Sequence, residues 1–339
     1  MDAVRDRLAE ELDFYKFIQF TFTKQWNELH EYATSKNVKI IGDIPFYVSF
    51  DSADAWSHSE VFKMDKDLLP TVVAGCPPDA FSSTGQLWGN PIYDWDKLKK
   101  NGYDWWIKRM QRCLELYDVV RIDHFHGFSE YYAVPYGDEN AVNGKSHKGP
   151  GMDFFNVLKN AIDEFVTEDE IKIIAEDLGT VTKENQALLE KTGIPGMKIL
   201  QYAFTSWDSI YMPYKHDKNC VVYTGTHDNM TTRNWLDCIN DGERDYLRRY
   251  LNSMNSDYGA LVWDIIREAY RSVGNLCIIP IQDYLVKGHE ARINTPGDFG
   301  NNWQWRIRPN FLSNELAGSI RNLAEIYGRI PKEKEKKEE

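Results

Sequence analysis

Short apolar runs rich in valine and isoleucine recur along the chain, each closing on a polar or acidic residue, with longer amphipathic stretches between them. The runs are 38–44 (VKIIGDI), 119–123 (VVRID), 171–176 (IKIIAE), 197–204 (MKILQYAF), 220–226 (CVVYTGT) and 276–283 (LCIIPIQD). Near-continuous runs of this length, without clean alternation, suit strands buried on both faces and hence a parallel sheet. The intervening stretches predict helices over 23–35, 104–117, 153–167, 182–191, 242–251, 258–273 and 314–327. Thr182 is a plausible cap for its helix, although Asn185 rather than Glu or Gln stands three residues on. Repeated βα alternation with helices long enough for crossovers predicts an α/β fold, doubly wound or barrel, with six strands.

Two segments break this rhythm. Residues 49–100 are rich in Pro, Gly, Asp and aromatic residues, too long for a passive connector between the first two strands, and are expected to be a functional insertion. Residues 331–339 (PKEKEKKEE) are expected to form a charged, disordered tail after a single catalytic body over 1–330.

Composition narrows the function. Forty Lys and Arg against 52 Asp and Glu give a net charge of −12, which argues against nucleic acid, where phosphate neutralisation dominates binding. No window approaches the ~18 consecutive apolar residues of a transmembrane helix, and the opening segment MDAVRDRLAEELDFYKFIQF is too charged for a secretory signal. Five dispersed cysteines without C-x-x-C spacing read as reduced thiols. Together these predict a soluble cytoplasmic protein with no membrane partner. Aromatic residues are in excess, with 11 Trp, 19 Tyr and 16 Phe available to stack on a core or on a ligand.

Ligands of parallel α/β folds sit beyond the carboxyl ends of the strands. Those ends carry Asp43, Asp123, Glu176, His227 with Asp228, and Asp283. Crowded carboxylates repel one another and cost stability unless a site uses them. The chain lacks both G-x-x-x-x-G-K-[ST] and a G-x-G-x-x-G after a strand, so nucleotide binding has no support. Glycosyl transfer fits: one ionised carboxylate attacks or stabilises the sugar centre while a protonated one donates to the leaving oxygen. Arg121, two residues before Asp123, points to the same strand face and is expected to keep Asp123 ionised. Glu176 follows an apolar strand end beside Asp177, where burial and like charge raise a carboxyl pKa. The loop AGCPPDAFSSTGQLWGNPIY over 74–93 places Asp79, Phe81, Gln86, Trp88 and Asn90 together, which combines sugar-stacking rings with groups that pair with hydroxyls.

The segments GDIP (42–45), GCPPDAFSSTGQLWGNPIYDW (75–95), VVRIDHFHGF (119–128), KGPGMDFFN (148–156), IIAEDLG (173–179), YTGTHDN (223–229), and ARINTP (291–296) with NNWQWR (301–306) resemble the 4-α-glucanotransferases, the amylomaltases or disproportionating enzymes of the α-amylase superfamily. The resemblance covers about residues 14–329. It implies a (β/α)8 barrel that cleaves an α-1,4-glucan and passes the donor fragment, with retention, to the 4-hydroxyl of another glucan, without cofactor or metal. On it Asp123 matches the nucleophile, Glu176 the general acid/base and Asp228 a third carboxylate that binds donor hydroxyls. Arg121 and His227 match residues around the donor glucose, Asp79, Gln86 and Trp88 the substrate loop, Asn294 a later sugar-contacting segment, and Tyr202 an acceptor-side aromatic. Departures are His126 where the family has Arg, Ser146 for a Trp before KGPG, Val286 in an LGLG-like turn, and Thr205 with Ser206 for an acidic pair.

Members of the family carry a long region before the equivalent of YKFIQFTFTKQWNELHEYA, holding two further strands. The resemblance therefore implies a barrel with six of eight strands, completed by a missing N-terminal part supplied as a separate chain or absent. Two other readings stand beside it. One is a catalytically silent fragment that binds malto-oligosaccharide or amylose through its Trp-rich loop. The other is a metal-dependent barrel hydrolase using His124, His126, His227 and Asp228.

Overall fold

The computed structural model describes residues 2–78, 82–167, 170–179, 182–298 and 300–330. Asp79 and Phe81 of the expected substrate loop and the expected charged tail at 331–339 lie outside the described residues. The chain forms two compact units, Met1–Pro195 and Gly196–Glu339.

In the first unit, strands β1 (Ile41–Pro45), β4 (Val119–Asp123) and β7 (Ile173–Ala175) make a parallel sheet in the order β1-β4-β7. Its register sets Asp43 opposite Arg121, Pro45 opposite Asp123 and Ile122 opposite Ala175. The expected burial on both faces holds for β4 and β7, whereas β1 alternates, with Gly42 and Ile44 inside and Ile41, Asp43 and Pro45 outside. Gly42 is required by close packing: a Cβ there would lie 2.1 Å from the Tyr117 ring. Gly42→Ala is expected to cost about 1–3 kcal/mol by overpacking, read as a lower urea midpoint, with Asp43 displaced along the strand.

The insertion is not a loop. Strands β2 (Val72–Cys76) and β3 (Gln86–Pro91) pair antiparallel with each other, and β2 pairs with β5 (Glu130–Pro135), which pairs with β6 (Lys145–Lys148). The resulting sheet, β3-β2-β5-β6, escaped sequence reading because its strands are short and lie on either side of β4 in sequence. Beneath it the aromatic excess becomes core. Phe46, Tyr93, Trp106, Phe128, Phe154 and Phe155 are all buried, Phe128 stacks on Phe154 at 4.8 Å, and Tyr93 Oη donates to the carbonyl of Phe46 at 2.7 Å. These rings pin the turn that follows β1.

Helices Asp104–Leu116, Met152–Ile162 and Lys183–Thr192 fall close to their predicted places, the second ending earlier than its predicted 167. Thr182 does cap its helix, accepting from the amide of Asn185 at 3.2 Å. The N-terminal helix runs over Ala9–Ser35, far longer than the predicted 23–35, because rings on every side blur its period. It buries none of its residues and leaves Phe14, Phe17, Phe20 and Phe22 exposed. Trp26 Nε1, donating to Leu116 O at 2.9 Å, and His30, 3.0 Å from Asp118, anchor its C-terminal half.

The second unit holds the parallel sheet β10-β9-β8, from Gly196–Ile199 (β8), Cys220–Tyr223 (β9) and Leu276–Ile278 (β10). Helices Thr232–Cys238, Asp241–Leu251, Tyr258–Arg271 and Asn314–Ile326 pack on it through Leu236, Leu247, Leu261, Ile265 and Leu323. All six predicted parallel strands thus form, three in each unit. Among the described residues no helix is long and apolar enough to cross a membrane, and no disulfide forms.

Candidate active site

The carboxyl end of the first parallel sheet builds a charged cluster from three neighbouring strands. Arg121, on the central strand and only 6% exposed, extends Nη1 to both oxygens of Asp43 at 2.7 Å and to Asp123 Oδ1 at 3.1 Å. Burial works against the arginine's charge, and the flanking aspartates more than offset it. The i, i+2 spacing of Arg121 and Asp123 therefore does what strand geometry implies, and the β1–β4 register adds Asp43 as a second partner. Arg121→Ala would leave two half-exposed carboxylates without their cation. We expect a loss of about 2 kcal/mol in urea unfolding, below the ~3–5 kcal/mol of a wholly buried pair because water reaches both aspartates.

Glu176 follows β7. Its Oε2 accepts from the His124 amide and its Oε1 from the Leu178 amide, both at 2.8 Å. Burial, then the negative charge of Asp123, pushes its carboxyl up to about 7 against the opposing pull of Arg121 and the two amides. The direction agrees with the sequence expectation, and the structure adds the charge of Asp123 as a cause.

His124 adopts the left-handed conformation, φ 53° and ψ 49°, a strained arrangement for a non-glycine residue that turns the chain out of β4 and aims its amide at Glu176. Burial, then the neighbouring His126, lowers its pKa to about 4, so its ring is neutral at pH 7. That ring packs 5.1 Å from Trp88 and 5.9 Å from Tyr47. Trp88 Nε1 donates to Gln86 Oε1 at 3.1 Å, which ties the two side chains together on β3. A cavity of about 330 Å³ results, walled by Phe46, Tyr47, Trp88 and Asn90, with Asp123 and Glu176 in its lining. For the metal reading, His126 Nδ1 lies 2.7 Å from Asn185 Nδ2, and among the described residues no cluster of three metal-ligating groups is gathered.

The second unit assembles its own group. Asp228 Oδ1 accepts from Asn294 Nδ2 at 2.7 Å, its Oδ2 lies 3.3 Å from His227 Nε2, and its carbonyl accepts from Arg292 at 3.0 Å. Tyr202 Oη accepts from Asn229 Nδ2 at 2.8 Å. Asp283 departs from the rim expected of it: it is 1% exposed and accepts from Thr224 Oγ1 at 2.6 Å, Thr232 Oγ1 at 2.7 Å and the Thr232 amide at 2.8 Å. Its carboxylate joins β9 to the helix beyond, a structural duty. Val286 sits at φ 51°, a position that favours glycine and agrees with the departure noted in that turn.

Sequence reading missed Tyr47, His124 as an amide donor, Arg292 and Trp303. Trp303 has φ 61° and a half-exposed indole 5.1 Å from the His227 ring. The signals were available only as members of quoted motifs, without individual roles.

The fold and the site define an α/β protein with an arginine-bridged aspartate pair, a buried glutamate beside it and an aromatic wall. The family model described as 4-alpha-glucanotransferase matches residues 1–313, and the chain belongs to that family. It is 47% identical over 331 residues to the 4-alpha-glucanotransferase of Clostridium butyricum, covering 97% of this chain and 66% of that one. For the enzyme of Streptococcus pneumoniae serotype 4 the identity is 43%, covering 97% and 64%. The structure of the amylomaltase from Streptococcus agalactiae in complex with acarbose superposes with TM-score 0.91 at 37% identity, covering 97% of this chain and 66% of that chain. The amylomaltase from Corynebacterium glutamicum, at 20% identity and TM-score 0.72, shares the fold. The chain thus spans about two thirds of the length of these curated relatives.

Proposed function

We propose that this chain is a retaining 4-α-glucanotransferase acting on α-1,4-glucans and malto-oligosaccharides in the cytoplasm, on a (β/α)8-type scaffold to which its six parallel strands belong. The observation that carries the reading is Glu176, poised near pH 7 beside an Asp123 that Arg121 holds in place. Asp123 Oδ attacks the anomeric carbon while the glycosidic C–O bond breaks and Glu176 delivers its proton to the departing 4-oxygen. The glycosyl ester is then opened by the 4-hydroxyl of an acceptor, whose proton passes to the Glu176 carboxylate as the C1–Asp123 bond breaks. In this reading Trp88 and Tyr47 shape the sugar pocket of the first unit, and Asp228, with His227 and Asn294, offers partners for sugar hydroxyls in the second. Incubation with maltotriose should yield glucose together with longer oligosaccharides; maltose and glucose alone would mean hydrolysis.

A second reading, glucan binding without transfer, is favoured by the exposed phenylalanines of the Ala9–Ser35 helix, an apolar face of the kind that further polypeptide covers. Calorimetric binding of maltoheptaose with no glucose released from maltotriose would establish it. Restoration of release by polypeptide supplied as a separate chain would assign that face its partner.

A further inference from the structure

The segment after β8 has two faces. Leu200, Ala203, Phe204 and Met212 point into the core of the second unit, while Tyr202, Trp207, Ile210 and Tyr214 are 38%, 75%, 48% and 63% exposed. Exposed loops usually show their polar groups. Here those groups are turned back to hold the backbone. Tyr214 Oη donates to Trp207 O at 3.0 Å, Ser209 Oγ to Tyr202 O at 2.9 Å, Lys215 Nζ to Asp208 O at 2.5 Å, and Ser206 is bonded to the Asp208 carboxylate. The loop is thus fastened by its polar atoms and displays its rings, which lowers the entropy lost when a ligand settles on them.

We propose that Trp207 and Tyr214 form an accessory platform that binds long α-1,4-glucan chains, an inference that rests on the glucanotransferase reading. The platform follows the carboxyl end of β8, and Tyr202 on the same segment is bonded through Asn229 Nδ2 at 2.8 Å to the loop that carries Asp228. Its surface suits an uncharged ligand with flat apolar faces. Lys215, beside Tyr214, is spent on Asp208 O and on the Tyr214 ring at 5.7 Å, and the chain's net charge of −12 disfavours a polyanion. Glucose rings in a linear glucan present such C–H faces in series, so each additional ring bound adds affinity that short substrates cannot gain.

The test compares affinity for a long linear α-1,4-glucan, by affinity electrophoresis, with affinity for maltotriose, by calorimetry, using the full chain. Trp207→Ala should weaken long-glucan binding about tenfold, as loss of an aromatic anchor does, while maltotriose affinity stays within about twofold. Trp207→Phe should recover most of the loss, because a ring remains. Equal affinity of Trp207→Ala and the parent chain for long glucan overturns the inference, as does an equal loss for both ligands. A Trp207→Ala change that instead shifts the chain from dimer to monomer in gel filtration, with glucan affinity intact, makes the patch a self-association surface and overturns it too. Failure of the parent chain to bind either glucan sinks the glucanotransferase reading and the platform with it, whereas maltotriose binding without a Trp207 effect sinks the platform alone.

Discussion

Asp123→Asn is expected to reduce maltotriose disproportionation by at least about 10⁴-fold while leaving maltoheptaose affinity within a few-fold of the parent chain. The amide keeps the shape of the carboxylate and can still meet Arg121 Nη1 through its oxygen, so the pocket persists. It cannot form the glycosyl ester, because its lone pairs are delocalised and it carries no negative charge. The same substitution removes the charge that helps hold Glu176 protonated, so the Glu176 carboxyl should move down from about 7. Turnover with a fluorescently labelled maltotriose, beside calorimetry, separates the two effects. Retained turnover would sink the nucleophile assignment.

Glu176→Gln is the companion case. A carboxyl at about 7 is half protonated at pH 7, whereas one at the ordinary value would be protonated in under about 1% of molecules, so burial is what makes this residue an acid under neutral conditions. In the parent chain kcat/KM should be flat on the acid side of this ionisation and fall tenfold per pH unit above about 7. The glutamine variant should lose about 10²–10⁴-fold with maltotriose and lose that alkaline limb. With an α-maltosyl fluoride donor, whose leaving group needs little protonation, the loss in the first step should shrink greatly. An unchanged alkaline limb in the variant would show that another group sets it. Stability carries a matching sign. Because the folded pKa is raised, the folded chain keeps a proton that the unfolded chain gives up between the usual 4.5 and about 7, so this group's contribution to stability falls as pH rises through that window. The glutamine variant should show a smaller fall in urea midpoint between pH 5 and pH 8.

Both predictions rest on features that were legible in the sequence to unequal degrees. Arg121 and Asp123 share a face because strand side chains alternate, so their pairing could be read from two letters. An apolar run ending on Glu176 signals burial in the same way. Asp43 could be placed at a strand end, but its bond to Arg121 spans 78 positions and exists only through the β1–β4 register. Asp283 shows the opposite outcome. By position it belonged with the rim carboxylates, and by packing it is enclosed by Thr224 and Thr232.

The sequence by itself determined the six parallel strands, most of the helices between them and the family, because hydrophobic periodicity and contiguous motifs are local properties of the chain. It also determined that Asp123 and Glu176 would occupy strand ends. Only the tertiary structure decided that β2 of the inserted segment pairs with β5 in an antiparallel sheet, that the left-handed turn at His124 delivers an amide to Glu176, and that the charge of Asp123 helps raise the glutamate's pKa. Strand pairing, burial and charge–charge distance depend on residues remote in sequence, and periodicity carries no information about which remote partner will be chosen.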